Sequence, residues 1–354
     1  MEKYTAHIEA LQEYILSQPP SQWCQLFFLS AAGGVVALQA LPRSVRSAFM
    51  DYGARSASST ASNDNSKTKS SGTVTKGGDK AKPARASAAG ASPTPGALAS
   101  LTSKIASVGQ VPHSWFWHFY LLSVSWSAFW AWQFSTRGTV LGSLAEWEVK
   151  TARPPAPGLD VDEAKELGRV FAAWVMMALQ GLRRLYECGV ITKAGAKSPM
   201  WIVHWGLGLA FYTVMSVSIW IQGSGAILYA WKTQQVAEIL TSRVPSAMAV
   251  YFWAWSKQHA CHVQLASLKK YTLPSEGLFQ FLICPHYTCE CLIYLSIAFI
   301  AAPAGSFFNG PILCGFVFVL ANLGATARGT RKWYGEKFGE DKIASRWTMI
   351  PFVF

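Results

Sequence analysis

Long apolar runs with few charges recur along this chain, and several reach the ~20 residues that a helix needs to cross a bilayer. That feature limits the fold more than any other. Lipid offers no hydrogen-bond partners, so spanning backbone must be helical or closed into a barrel. The runs are continuous rather than alternating, which argues against a β-barrel. With 51% hydrophobic and only 14% charged residues, the composition departs from the ~25% charge of soluble domains. The expected fold is all-α: a polytopic membrane protein of about seven transmembrane helices. The first run, Trp23 to Ala40, follows Glu2, Glu9 and Glu13 rather than a basic segment, so it reads as a retained helix and not a signal peptide.

Spans are expected near 23–41, 114–134, 169–187, 200–221, 245–262, 287–303 and 307–327. Charge then orients them. Arg43, Arg46, Arg55, Lys67 and Lys69 follow the first span. Arg183, Arg184, Lys193 and Lys197 close the third. Lys257 lies near the end of the fifth, and Lys269 and Lys270 follow it. Arg328, Arg331, Lys332, Lys337, Lys342 and Arg346 follow the last. All four segments share one face, which the positive-inside bias makes cytosolic, with the C-terminus there and the N-terminus outside or in a lumen. This accounts for the net charge of +12 without nucleic acid as a partner.

The expected organisation is an N-terminal segment (1–22), a first helix with its juxtamembrane stretch (23–55), a basic Ser/Ala/Lys-rich loop (56–110) and a membrane domain (111–354). The loop lacks the large apolar residues needed to offset ordering entropy, so it reads as disordered. The seven cysteines are odd in number and lie mostly in apolar runs, which suits buried thiols rather than a disulfide framework.

Polar residues gather at the expected cytosolic ends of spans. The first cluster is Arg183-Arg184-Leu185-Tyr186-Glu187. The second is Gln258-His259-Ala260-Cys261-His262, followed by Lys269-Lys270. The third, Cys284-Pro285-His286-Tyr287-Thr288-Cys289-Glu290, is joined by Trp333-Tyr334 and Arg346. An ionisable residue within a membrane segment is a functional-site candidate by default. His286, Tyr287 and Glu290 share one helical face through i,i+4 and i,i+3 spacing. Basic groups beside amide and phenol donors suit a diphosphate-bearing ligand. Arg183 and Arg184 also read as topogenic, and a helix–helix hydrogen-bond cluster remains the plain alternative for the acid. Cys284, His286, Cys289 and Cys291 make an awkward metal set, because Cys289 and Cys291 point roughly 200° apart on a helix; no metal is expected. Gly206-x-Gly208 and Gly223-Ser224-Gly225 lack the third glycine and the strand–helix setting of a soluble nucleotide fold.

Gly277-Leu278-Phe279-Gln280-Phe281, Pro285-His286-Tyr287-x-x-Glu290, Trp333-Tyr334-x-x-Lys337-Phe338 and the terminal Ile350-Pro351-Phe352-Val353-Phe354 resemble the steroid 5-alpha-reductase family. Val111-Pro112, Trp115-Phe116-x-His118-Phe119-Tyr120, the Arg183–Glu187 run, His204 and Gln258-His259-x-x-His262 with Leu268-Lys269-Lys270 point to its polyprenol (polyprenal) reductase branch. The resemblance implies a seven-helix fold, NADPH as cofactor, and reduction of the α-isoprene double bond of polyprenal or polyprenol. A long-chain isoprenoid is then the substrate, in dolichol synthesis at the endoplasmic reticulum membrane, which supports protein N-glycosylation. By position, Gln258, His262, Lys269, His286, Tyr287, Glu290, Tyr334 and Arg346 would contact NADPH. His286 stands where family members commonly have Asn. Thr330, Arg331 and Lys332 occupy the stretch where many carry a His, and Gly181 lies near a Tyr of steroid-reducing relatives.

A conjugated aldehyde accepts hydride more readily than an isolated alkene, which favours polyprenal. Tyr186, Glu187 and His204 are the candidates for stabilising the enolate oxygen and supplying a proton. Glu187 reads equally as an ion-pair anchor, and His204 as a helix–helix packing histidine. A membrane methyltransferase acting on isoprenylated cysteine shares a Pro-x-Tyr pattern, but Ile283-Cys284-Pro285 replaces the expected Arg-His-Pro. A non-catalytic lipid-binding protein is the alternative from another class.

Overall fold

The computed structural model describes residues 2–41, 109–154, 161–192, 199–239, 241–269 and 271–354. Most of them are helical. In chain order the helices are α1 (Glu2–Ser17), α2 (Pro20–Ala40), α3 (Trp117–Ser135), α4 (Thr139–Thr151), α5 (Glu163–Tyr186), α6 (Ile202–Ile221), α7 (Ser224–Thr233), α8 (Val244–Ser267), α9 (Pro285–Ile300) and α10 (Gly310–Phe338). Two three-residue strands, β1 (Gln110–Pro112) and β2 (Pro199–Trp201), pair antiparallel with Val111 opposite Met200. The disordered loop expected at 56–110 lies outside the described residues as far as 108, and Gln110 begins β1.

Among the described residues, three helices are long and apolar enough to cross a membrane: Pro20–Ala40, Ile202–Ile221 and Gly310–Phe338. The other four expected spans coincide with α3, α5, α8 and α9, which carry more polar side chains or are shorter. Helices α1, α4 and α7 were not expected as separate elements.

Local chemistry sets the ends. Asp162 caps α5, its Oδ1 accepting from the backbone N–H of Ala164 (3.1 Å) and Lys165 (3.2 Å). Glu163 and Glu166 in the first turn, and Arg183 and Arg184 in the last, complement the helix dipole. Asn309 caps α10 through Ile312 N–H at 3.1 Å. Prolines open α2, α8, α9 and α10, where a missing N–H costs nothing.

Helix α8 lies along α9, α2 along α10, and α3 between α5 and α6. Phe28, Met176, Met215, Tyr251, Ile293 and Ile297 pack in a single core. Hydrogen bonds from aromatic side chains tie the helices laterally. Trp130 Nε1 donates to Ser216 Oγ (2.9 Å), Trp174 Nε1 to Ser127 O (2.9 Å), and Tyr251 OH to Met176 O (2.6 Å). Burying these groups unpaired would cost more than the bonds return, so the pairing fixes the helix register.

At the start of α9, the tail runs beside the chain that leads into the helix. Ile283 N–H donates to Trp347 O (2.8 Å) and Cys284 N–H to Thr348 O (3.0 Å). That contact orients Pro285 and the His286–Glu290 turn toward the interior.

Candidate active site

Helices α3, α5, α6, α8, α9 and α10 enclose a cavity of about 780 Å³. One side is polar, with Gln258, His262, His286, Tyr287 and Glu290 from α8 and α9. The other is mainly apolar, with Leu207 and Phe211 from α6 and Phe318, Val319 and Leu323 from α10, and the same helices add His204, Asn322 and Thr326. A smaller cluster of Val111, Phe119 and Met200 packs beside it and fixes the entry of α3.

A buried network joins the three polar clusters behind the cavity. Glu187 follows α5 at the start of a wide turn, Glu187–Ile191, and is fully buried. Its Oε1 lies 2.7 Å from His259 Nδ1 and 3.4 Å from Arg183 Nη1. Its Oε2 lies 2.7 Å from His262 Nδ1 and also accepts from Arg184 Nη1. Two contacts on each oxygen use the full capacity of a carboxylate. His262 Nδ1 is also 2.7 Å from Arg184 Nη1. A guanidinium only donates, so a protonated Nδ1 serves Glu187 and a bare one serves Arg184.

The neighbouring arginines diverge, because successive residues on a helix point ~100° apart. Arg183 turns to α8, donating to Trp255 O (2.6 Å), Gln180 Oε1 (2.7 Å) and Gln258 Oε1. Arg184 turns to α3, donating to Tyr120 OH at 2.9 Å. Gln258 Nε2 donates to Glu290 and to His286 O (3.1 Å), and Gln180 Nε2 to Glu290 Oε2 (3.2 Å). Two guanidinium groups thus stand with two carboxylates, Glu187 and Glu290. This balance makes buried charge tolerable.

Of the cofactor-contacting residues expected from sequence, Gln258, His262, His286, Tyr287 and Glu290 meet in the cavity. Lys269 is exposed just beyond α8. Tyr334 is buried against Trp333 and Phe338, and Arg346 donates to Pro274 O (2.6 Å); neither lines the cavity. Of the other candidates, His204 lines the cavity, Glu187 stands behind it, and Tyr186 is 54% exposed and does not line it.

Sequence reasoning did not single out Gln180, Tyr212, Tyr294, Asn322 or Thr326, and it quoted Tyr120 only within the resemblance motif of residues 115–120, with no role. All but Gln180 line the cavity. In an apolar run such residues look like ordinary core or lipid-facing positions; only i,i+4 spacing from Glu290 could have flagged Tyr294. At the cavity rim, burial holds His113 below the ordinary imidazole range, so it is neutral at pH 7. Burial pushes the Cys188 thiol up, which keeps it protonated and a poor nucleophile.

Residues 207–354 match the family model of 3-oxo-5-alpha-steroid 4-dehydrogenases. The matched stretch, less than half of the chain, holds α8, α9 and α10 with the polar side of the cavity. Among similar proteins, polyprenal reductase 1 of Oryza sativa subsp. indica is 29% identical over 228 residues, which cover 54% of this chain and 62% of the rice protein. Polyprenal reductase of Drosophila melanogaster is 27% identical over 260 residues, covering 69% of this chain and 77% of the fly protein. Polyprenal reductase of Xenopus tropicalis is 26% identical over 261 residues, covering 69% and 80%.

The residues present fit a nicotinamide dinucleotide. His286 Nδ1 is buried without a hydrogen-bond partner among the described residues, at a cavity wall otherwise made of amide, imidazole, phenol and carboxylate groups. A buried polar atom left unsatisfied is costly unless a ligand serves it. Cavities of 300–1,000 Å³ are of the size that ligands and cofactors occupy.

Proposed function

We propose that this chain is a polyprenal reductase. It reduces the α-isoprene double bond of a long-chain polyprenal with NADPH, in dolichol synthesis at the endoplasmic reticulum membrane, and so supports protein N-glycosylation. One observation carries the reading: a single cavity joins a hydrogen-bonding wall to an apolar wall, as a dinucleotide beside an isoprenoid requires. The relatives' names add the substrate class. In this reading α3, α5, α8 and α9 cross the membrane with the three most apolar helices, giving seven spans and a cytosolic C-terminus.

Bound on the polar wall, NADPH supplies a hydride for the β-carbon of the enal. Gln258, His262, His286, Tyr287 and Glu290 hold it there, whereas Lys269, Tyr334 and Arg346 lie off this wall. Glu187 serves as the anchor, since its acceptor sites are filled by Arg183, Arg184, His259 and His262. His204 and Tyr186 are the remaining candidates for proton supply, and His204 has the access to the cavity. The isoprenoid tail lies against Leu207, Phe211, Phe318, Val319 and Leu323, gaining ~0.8 kcal/mol per buried CH₂.

The test is single-turnover NADPH oxidation by detergent-purified protein, with polyprenal and polyprenol offered separately and products identified by mass spectrometry. The expected result is oxidation with the aldehyde alone and a gain of two hydrogens at the α-isoprene unit. Folded protein that oxidises NADPH with neither substrate would overturn the reading.

A further inference from the structure

We infer that Tyr120 is a catalytic residue, the phenol that donates a hydrogen bond to the aldehyde oxygen as negative charge develops on it. The inference rests on the reductase reading above. Tyr120 is buried on α3, with 8% exposure, and lines the cavity. Its hydroxyl accepts from Arg184 Nη2 at 2.9 Å, and the same guanidinium sits 4.8 Å from its ring centroid. A phenol oxygen that accepts still has its own proton to give. Among the described residues, no protein acceptor is paired with that proton. The cation behind the oxygen polarises the O–H and offsets part of any charge that reaches it.

The surrounding structure explains why the phenol comes from α3. A Cβ on Gly181 of α5 would stand 2.9 Å from Ser123 Oγ of α3, so the two helices approach too closely for a side chain at 181. Gly181 and Arg184 are i,i+3 on α5; Tyr120 and Ser123 are i,i+3 on α3. The close approach at one pair therefore brings the next pair into hydrogen-bond contact. Arg184 is a positioning residue, fixed in turn by Glu187. The other cavity tyrosines lack this arrangement. Tyr212 and Tyr294 interact with each other, and Tyr287 packs on His286 with ring centroids 4.2 Å apart. The Tyr212 ring packs edge-on against Tyr120 with centroids 5.8 Å apart, and Phe119 and Phe211 line the same cavity; beside such groups a hydrogen bond to a developing charge is stronger than in water.

The step balances as follows. Hydride forms the new C–H bond at the β-carbon. The alkene π pair shifts to the α-carbon–carbonyl bond, and the carbonyl π pair moves to oxygen, where the Tyr120 O–H bonds it. The enolate then takes a proton at the α-carbon, for which His204 on the cavity wall is the candidate donor, and the C=O re-forms. The net change is enal plus NADPH plus a proton to saturated aldehyde plus NADP⁺.

The experiment compares Tyr120→Phe with the parent. Loss of one such donor lowers kcat by about 10²–10³-fold, while NADPH affinity, read by its fluorescence, stays at the parent value. Infrared spectra of carbonyl-labelled polyprenal, bound with NADP⁺, show a lowered C=O stretch in the parent and an unshifted one in Tyr120→Phe. Parent-like kcat, or the same lowered stretch in the variant, overturns the assignment. If Tyr120→Phe does not fold, ring-fluorinated tyrosines placed at 120 keep its shape. Their kcat must follow phenol acidity, and a flat response overturns the assignment. A parent that oxidises no NADPH with polyprenal overturns the reductase reading instead, whatever the variant does.

Discussion

Glu187→Gln isolates the central charge of the buried network. The substitution keeps the shape of the side chain but removes the negative charge that faces Arg183, Arg184, His259 and His262. It also places an NH₂ donor against groups that are themselves donors. Glu187 is fully buried, so water cannot replace the lost partner. Removing one member of a buried ion pair costs about 3–5 kcal/mol, mostly from the charges left behind. At ~2 °C per kcal/mol for a chain of this size, the melting temperature should fall by about 6–10 °C. The protein carries its own reporter. Cys24, Cys261, Cys284, Cys289 and Cys291 are buried free thiols, so a thiol-reactive dye reads unfolding directly in detergent. A shift of only about 1 °C, or ~0.5 kcal/mol, would refute the reasoning, because it would show that the arginines find equivalent partners without Glu187.

Gln258→Ala should take one donor from Glu290, which keeps Gln180, and one from the His286 carbonyl, and should leave the buried Arg183 an acceptor short, costing ~1–3 kcal/mol. NADPH affinity should fall with stability, and fluorescence titration beside a thermal melt checks both. Glu148→Gln should act oppositely with pH. Glu148 accepts from Ser21 N–H at 2.9 Å, but burial raises its carboxyl pKa above the ordinary value. A raised folded-state pKa contributes stability that is complete below the unfolded value and is lost as pH rises through the folded one. The parent should therefore lose stability relative to Glu148→Gln as pH increases over that window, and melts across pH would show equal slopes if the idea is wrong.

The sequence made the helices and half of the site legible. Apolar runs of bilayer length placed α2, α6 and α10, because only a helix satisfies backbone groups in lipid. His286, Tyr287 and Glu290 were placed on one face by their spacing alone, and all three line the cavity. The partners of Arg184 were not legible. Tyr120 lies 64 residues away on α3 and looks, in its run, like one more interfacial aromatic. Tyr186 shows the converse: two residues beyond Arg184 it lies ~200° around the helix, so it points outward although it is near in sequence. The short helices α4 and α7 were also missed, since neither is long or uniformly apolar enough to stand out from a loop.

Gly181 tests whether the close approach of α3 and α5 is a requirement or an accident. Ala in place of Gly inside a helix gains ~1 kcal/mol from propensity. Against that, the new Cβ would lie 2.9 Å from Ser123 Oγ, with Ser123 Cβ and Val124 Cγ2 at 3.4 Å. Overpacking of this kind costs about 1–3 kcal/mol, so Gly181→Ala should be neutral to ~2 kcal/mol less stable. Removing Ser123 Oγ relieves the nearest contact. The double variant Gly181→Ala/Ser123→Ala should then recover the propensity gain and exceed Gly181→Ala in stability. The coupling in this cycle comes only from the interhelical contact, so its sign decides the matter. Additive single variants would mean that α3 moves freely away from α5. In that case Arg184 could not hold Tyr120 by packing. If instead the cycle is coupled, Gly181→Ala should lower kcat while leaving NADPH affinity unchanged, because the strain falls on the Tyr120–Arg184 contact and not on the α8–α9 wall.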